Sequence, residues 1–145
     1  ESHSVYTAAL LHDIGKIGFN DRLFGSEDCR DAPELMEAIR QHPEIGFSIL
    51  QWLDFLGSSK EYIRYHHERL DGKGYPFGIS GEDIPLGARI IAVADTFDAI
   101  TTDRSYKKGK NMEEGLQILK EISGSHLDAE LVQAFCEEIK KDGLE

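Results

Sequence analysis

Apolar residues recur every third or fourth position along nearly the whole chain, and no stretch alternates apolar and polar residues in the manner of a half-buried strand. That periodicity predicts an all-α fold. Val5, Ala8, Ala9 and His12 share one helical face, which Gly15 and Gly18 bring to an end. Residues 19–31 are polar and irregular. Pro33 suits the first turn of a helix through Leu35, Met36 and Ile39 that ends at His42; Pro43 then marks a break before another helix through Ile45, Phe47, Ile49, Leu50 and Leu53. Residues 58–68 read as a further helix ending in His66 and His67. Residues 86–102 are mostly apolar and are expected at the centre of the molecule, although they carry Asp95 and Asp98. Asn111 and Glu114 form a capping box ahead of Leu116, Leu119 and Ile122, and Asp128 can cap a last helix through Val132, Phe135 and Ile139.

One segment cannot be helical. Between Leu70 and Pro85 stand Gly72, Gly74, Gly78 and Gly81 together with Pro76, a density that predicts a structured loop. A short strand pair inside it is the one departure from helix that the pattern leaves open.

A chain of 145 residues fits one domain with a core of its own. Its formal charge of -11 argues against a DNA or RNA polymer as partner, since that needs a basic footprint. It does not exclude a small phosphorylated substrate. No apolar run approaches the roughly 20 residues of a membrane span, so no membrane contact is expected in this segment and a cytoplasmic location is. Cys29 and Cys136 stand far apart and in no metal-ligand spacing, which reads as free thiols in a reducing compartment.

Chemistry concentrates in a few positions. His12 and Asp13 are adjacent near a helix end, His42 ends a helix, His66 and His67 are neighbours, and Asp95 interrupts an apolar helix. Imidazole nitrogen and carboxylate oxygen together suit iron, manganese or zinc. Adjacent residues on a helix point roughly 100° apart, so a His-His or His-Asp pair can serve two ions. Taken singly, each has an ordinary reading. A histidine at a helix end is usually solvated or capping, and paired histidines are often exposed. Asp95 is harder to dismiss, because a carboxylate among apolar neighbours needs a partner.

The joint pattern is more specific. The segments His12-Asp13-Ile14-Gly15-Lys16, His66-His67-Glu68-Arg69-Leu70-Asp71-Gly72-Lys73-Gly74-Tyr75-Pro76 and Asp95-Thr96-Phe97-Asp98-Ala99 closely resemble the HD-GYP family, a branch of the HD phosphohydrolases. The resemblance runs from about residue 8 to residue 135 in order and spacing. It implies an HD-type helical bundle holding two or three divalent ions, iron or manganese, and hydrolysis of the bacterial second messenger cyclic di-GMP to pGpG and onward to GMP. By the same resemblance His12 and Asp13 are the signature ligand pair, with Asp13 bridging two metals. His42, His66 and His67 complete the coordination, and Asp95 closes the site. Lys16 would set its ammonium on a substrate phosphate, Arg104 and Lys107 would hold the other phosphate, and Tyr75 would shape the rim.

Read without the resemblance, Arg104 and Lys107 suit a solvated face and Lys16 a helix C-terminus. Tyr75 and Pro76 suit folding or partner recognition. Asp71 and Asp98 are expected to orient ligand histidines from outside the coordination sphere, and His3 and His126 to be ordinary surface residues. The family carries a further helix before the His-Asp motif. Eleven residues precede His12, so residues 1–145 are expected to form an HD-GYP catalytic domain lacking that helix. The resemblance leaves open an upstream sensor or receiver domain, a GGDEF-type protein partner and a homodimer. Two other functions compete: an HD phosphohydrolase acting on another nucleotide, other cyclic dinucleotides included, and a degenerate regulatory module that binds without turnover.

Overall fold

The computed structural model describes residues 2–19, 33–103 and 108–142, and they form a helical bundle. Six α-helices succeed one another: α1 (Ser2–Leu11), α2 (Pro33–Leu50), α3 (Ser59–Tyr65), α4 (Leu86–Thr101), α5 (Met112–Ile122) and α6 (Ala129–Asp142). Short 3-10 turns lie at Ile14–Lys16, Asp54–Leu56 and Gly81–Asp83. Among the described residues no strand forms, and the one β-bridge joins Ser123 to Leu127, in a segment whose Ser125 and His126 carbonyls accept from the Asp71 and Leu70 N–H groups at the start of the glycine-rich loop. No helix is long and apolar enough to cross a membrane.

The expected helix starts are present. Asn111 Oδ1 accepts from the Glu114 N–H while the Glu114 carboxylate accepts from the Asn111 N–H, closing the capping box. Asp128 Oδ1 accepts from the N–H groups of Glu130 and Leu131, and its Oδ2 takes the Arg89 guanidinium at 2.7 Å, tying the start of α6 to α4.

Helix α4 explains its apolar composition by serving two cores. Ala88 and Ile91 belong to a cluster with Ala8, Leu50, Leu56, Tyr62, Ile63 and Ile84. Ala92 and Val93 belong to a second with Leu116, Leu119, Leu127, Val132 and Cys136. The helix packs against α1 and α3 on one side and against α5 and α6 on the other. Cys136 is a buried free thiol, as expected; Cys29 lies outside the described residues.

The break expected at Pro43 does not occur. Helix α2 runs unbroken from Pro33 to Leu50 with Pro43 inside it. A proline in a helix interior costs about 3 kcal/mol, because it withholds the N–H that would bond the carbonyl four residues back. Here that carbonyl belongs to Ile39, and the His42 ring supplies the missing donor: its Nδ1 lies 2.5 Å from Ile39 O. The orphaned acceptor is satisfied from the side chain next door, and Pro43 itself is fully buried. Periodicity cannot register such a substitution of donors.

The 3-10 turn after His12-Asp13 lies directly on α2. A Cβ added at Gly15 would stand 1.9 Å from His42 O and 2.6 Å from Gly46 N, so only glycine permits this approach. Gly15→Ala should therefore force the turn off α2 and destabilise the protein by roughly 3 kcal/mol, the upper range for overpacking. Gly18→Ala, with nothing within 4 Å of its added Cβ, should cost less despite its positive φ. Urea unfolding of the two variants beside the parent measures both.

Candidate metal centre

Three histidines, two just after helix ends and one inside α2, use one device. His12 Nδ1 lies 2.7 Å from Ala9 O, His42 Nδ1 2.5 Å from Ile39 O, and His66 Nδ1 2.6 Å from Ile63 O. Each is a bond from the ring to the carbonyl three residues back. Ala9 and Ile63 sit in the last turns of α1 and α3, where carbonyls have no intrahelical donor; Ile39 is freed by Pro43. Donation from Nδ1 leaves Nε2 of each neutral ring as a lone pair.

Those lone pairs converge. His42 Nε2 and His66 Nε2 stand 3.4 Å apart, and His42 Nε2 is also 3.4 Å from Asp13 Oδ1. His12 Nε2 is 3.6 Å from Asp13 Oδ2 and 3.7 Å from Asp95 Oδ1. Two groups of three donors result, His42-His66-His67 and His12-Asp13-His66, each with its ligand atoms within 4.8 Å of one another. His66 belongs to both, and Asp13 faces both.

Electrostatics keep these groups in donor form. Burial lowers His42, takes His66 down to about 4, and pushes His67 well below the ordinary imidazole range. Burial would raise the Asp95 carboxyl, but His12, 3.7 Å away, and the neighbouring imidazoles hold it well below its usual value. His12 is raised, chiefly by the nearby Asp95 carboxylate. Two neutral rings with Nδ1 committed cannot hydrogen-bond each other through facing Nε2 lone pairs. A divalent cation satisfies that arrangement, and the mixed nitrogen and oxygen donor set fits iron, manganese or zinc.

The remaining expected residues divide. The Lys16 ammonium is 2.7 Å from both carboxylate oxygens of Asp13, at the edge of a cleft of about 500 Å³. His12, His42, His67, Asp95 and Tyr75 also line this cleft. Tyr75 stacks on His67 with centroids 4.7 Å apart and planes 25° apart, and burial raises its hydroxyl pKa. Arg104 and Lys107 lie outside the described residues. Asp71 and Asp98 do not orient ligand histidines: Asp71 binds Arg69 and the Lys73 N–H, and Asp98 accepts from Thr102 Oγ1 at 2.9 Å. Main-chain carbonyls take the role expected of them.

Sequence reasoning missed two residues. Glu68 is 3% exposed and its Oε1 accepts from the N–H groups of Phe77, at 2.7 Å, and Gly78, at 3.2 Å. A carboxylate directly after the histidine pair and before a glycine-rich loop was the available signal. Arg40, with its guanidinium carbon 6.0 Å from the Tyr75 ring centroid, left no such trace.

Comparison with known proteins agrees with this geometry. Residues 1–131 match the HD domain family. A cyclic di-GMP phosphodiesterase of Thermotoga maritima is 43% identical over 130 residues, covering 88% of this chain and 35% of its own length. A 3'3'-cGAMP-specific phosphodiesterase of Vibrio cholerae is 35% identical over 139 residues, covering 94% of this chain and 26% of its own. The chain thus spans about a third or less of these relatives. Among solved structures, the HDG"Y"P protein Bd1817 of Bdellovibrio bacteriovorus shares the fold with a TM-score of 0.73, at 22% identity over 94% of this chain and 43% of its own. With its paired motif, its converging imidazoles and its match along most of its length, the chain belongs to the HD domain family, in the HD-GYP branch.

Proposed function

We propose that this chain is the catalytic domain of a metal-dependent phosphodiesterase that hydrolyses cyclic di-GMP to linear pGpG, with GMP as the further product. The observation that carries the reading is the 3.4 Å approach of His42 Nε2 and His66 Nε2 while both Nδ1 atoms are committed to main-chain carbonyls. Two or three iron or manganese ions, held by His12, Asp13, His42, His66, His67 and Asp95, are the cofactors. Bound there, they supply Lewis acidity and a water of lowered pKa at neutral pH.

The protein's own groups supply the rest. Asp13 presents one oxygen toward His12 and the other toward His42, which supports its reading as the shared ligand. Lys16, beside that carboxylate and facing the cleft, offsets negative charge gained by a phosphate in the transition state. Tyr75 forms the apolar wall, and Arg104 and Lys107 serve the substrate's other phosphate. Cyclic di-GMP hydrolysis places the domain in the cytoplasm. Input from a sensor or receiver domain, a GGDEF-type partner and a second copy belongs to the same proposal.

A second reading, hydrolysis of 3'3'-cGAMP, is favoured by the Vibrio cholerae relative. Assaying both cyclic dinucleotides with anaerobically added iron(II) or manganese(II) separates them. Preferential turnover of cyclic di-GMP supports the proposal; preferential turnover of 3'3'-cGAMP replaces it. Metal uptake without turnover of either indicates a binding module.

Two substitutions divide the roles. Asp13→Ala should lose both metal and turnover, with activity down by at least about a thousandfold, measured by elemental analysis beside product formation. Lys16→Ala should keep its metal and lose roughly 100-fold in kcat/KM, since it removes a charge that acts on the transition state. Loss of metal from Lys16→Ala would show that the lysine serves the ligand set and not the phosphate.

A further inference from the structure

The four site histidines are not held alike. His12, His42 and His66 are each fixed by a bond from Nδ1 to a main-chain carbonyl. Among the described residues the His67 ring makes no hydrogen bond; rings pack on it, with Tyr75 stacked at 4.7 Å, His66 at 4.0 Å and His42 at 4.9 Å. Its orientation depends on where Tyr75 is placed, and Tyr75 sits in a loop.

That loop is registered onto the segment carrying the histidine pair. The Tyr75 N–H donates to His67 O at 3.2 Å. A Cβ at Gly74 would stand 2.6 Å from His67 O, 2.5 Å from Glu68 Cα and 2.4 Å from Arg69 N, so the backbones are in direct contact. Two residues further on, the N–H groups of Phe77 and Gly78 converge on Glu68 Oε1. The Phe77 ring meets Tyr65 at 5.7 Å and the Arg64 guanidinium at 4.7 Å. Arg64 is in turn held by both oxygens of Glu44 on α2, at 2.8 and 2.9 Å.

Within this set Glu68 is the buried member that the coordination chemistry does not use. Its carboxylate is 3% exposed, and Oε2 is buried without a hydrogen-bond partner. Burying a carboxylate costs free energy that its hydrogen bonds must offset, and those of Glu68 go to the N–H groups of Phe77 and Gly78. What these bonds do is fix the backbone just after Tyr75.

We infer that Glu68 is a positioning residue for the metal ligand His67: by binding the N–H groups of Phe77 and Gly78 it sets the loop that lays Tyr75 against the His67 ring. This inference rests on the metal-centre reading above. It assigns to the second half of the long motif a task in holding a ligand, distinct from contact with substrate. Outer groups that orient ligands typically change metal affinity by 10–100-fold when removed.

Manganese(II) binding to the purified, metal-stripped protein, followed by isothermal titration calorimetry, tests it. Glu68→Ala is expected to weaken binding about tenfold or more. Glu68→Gln keeps an acceptor for the two N–H groups and should stay within about threefold of the parent. Tyr75→Ala should weaken binding similarly, and the Glu68→Ala/Tyr75→Ala double variant should be no weaker than the worse single one, because both act through one contact. Additive losses, or parental affinity in Glu68→Ala, overturn the inference. If Glu68→Ala does not fold, Glu68→Asp takes its place in the same cycle; it keeps the charge and draws it back from the loop, and the same two outcomes decide. A parent protein that takes up no metal refutes the metal centre itself, which separates that failure from this one.

Discussion

The site depends on a hydrogen bond that each of three histidines makes away from it. An imidazole has two nitrogens, and a ligand needs one fixed lone pair aimed at a shared point. Bonding Nδ1 to the carbonyl three residues back settles both tautomer and ring direction without recruiting any other side chain. The acceptors are available because of where the histidines stand. Two follow helix ends, where carbonyls lack donors, and the third precedes a proline that frees one in mid-helix. The same backbone features that end or interrupt helices thus prepare the ligands. Burial then favours the neutral form of His42 and His66, and Gly15 lets the turn bearing Asp13 close onto the helix bearing His42.

The fold was legible in outline because its signals are local. Capping groups such as Asn111 and Asp128 act within one turn, and apolar spacing reports one face at a time. Helix α2 shows the limit. Pro43 reads as a break because proline removes a local bond, whereas the compensation comes from a side chain whose rotamer is settled by packing. Asp71 and Asp98 show another. Their place in the motif segments suggested a supporting role, but Arg69 and Thr102 bind them instead. Among the site residues, the motif segments contain five of the six expected metal ligands and His42 was marked by its place before Pro43; that His66 stands in both donor groups, and that Tyr75 stacks on His67, required three dimensions.

The glycine-rich loop gains its shape from the segment it follows. Gly74 admits backbone contact with residues 67–69, and the N–H groups of Phe77 and Gly78 bind the carboxylate of Glu68. A loop built this way is anchored to its base by Gly74 and Glu68, while Lys73 and the half-exposed Phe77 face outward. The Arg64 guanidinium, between the Phe77 and Phe47 rings, joins the loop to α2. Motion of the loop would therefore be felt by α2, the helix that bears His42.

His66 sets a further condition. A single nitrogen has one pair of electrons to give, and with Nδ1 bound to Ile63 the ring can serve one ion only. The two donor groups that include it are rivals, not duplicates. One will be rich in nitrogen, and the other must lean on carboxylates, of which Asp13 offers an oxygen to each side. The two positions are thus chemically unequal, one presenting imidazole nitrogens alone and the other relying on carboxylate oxygen for its remaining bonds.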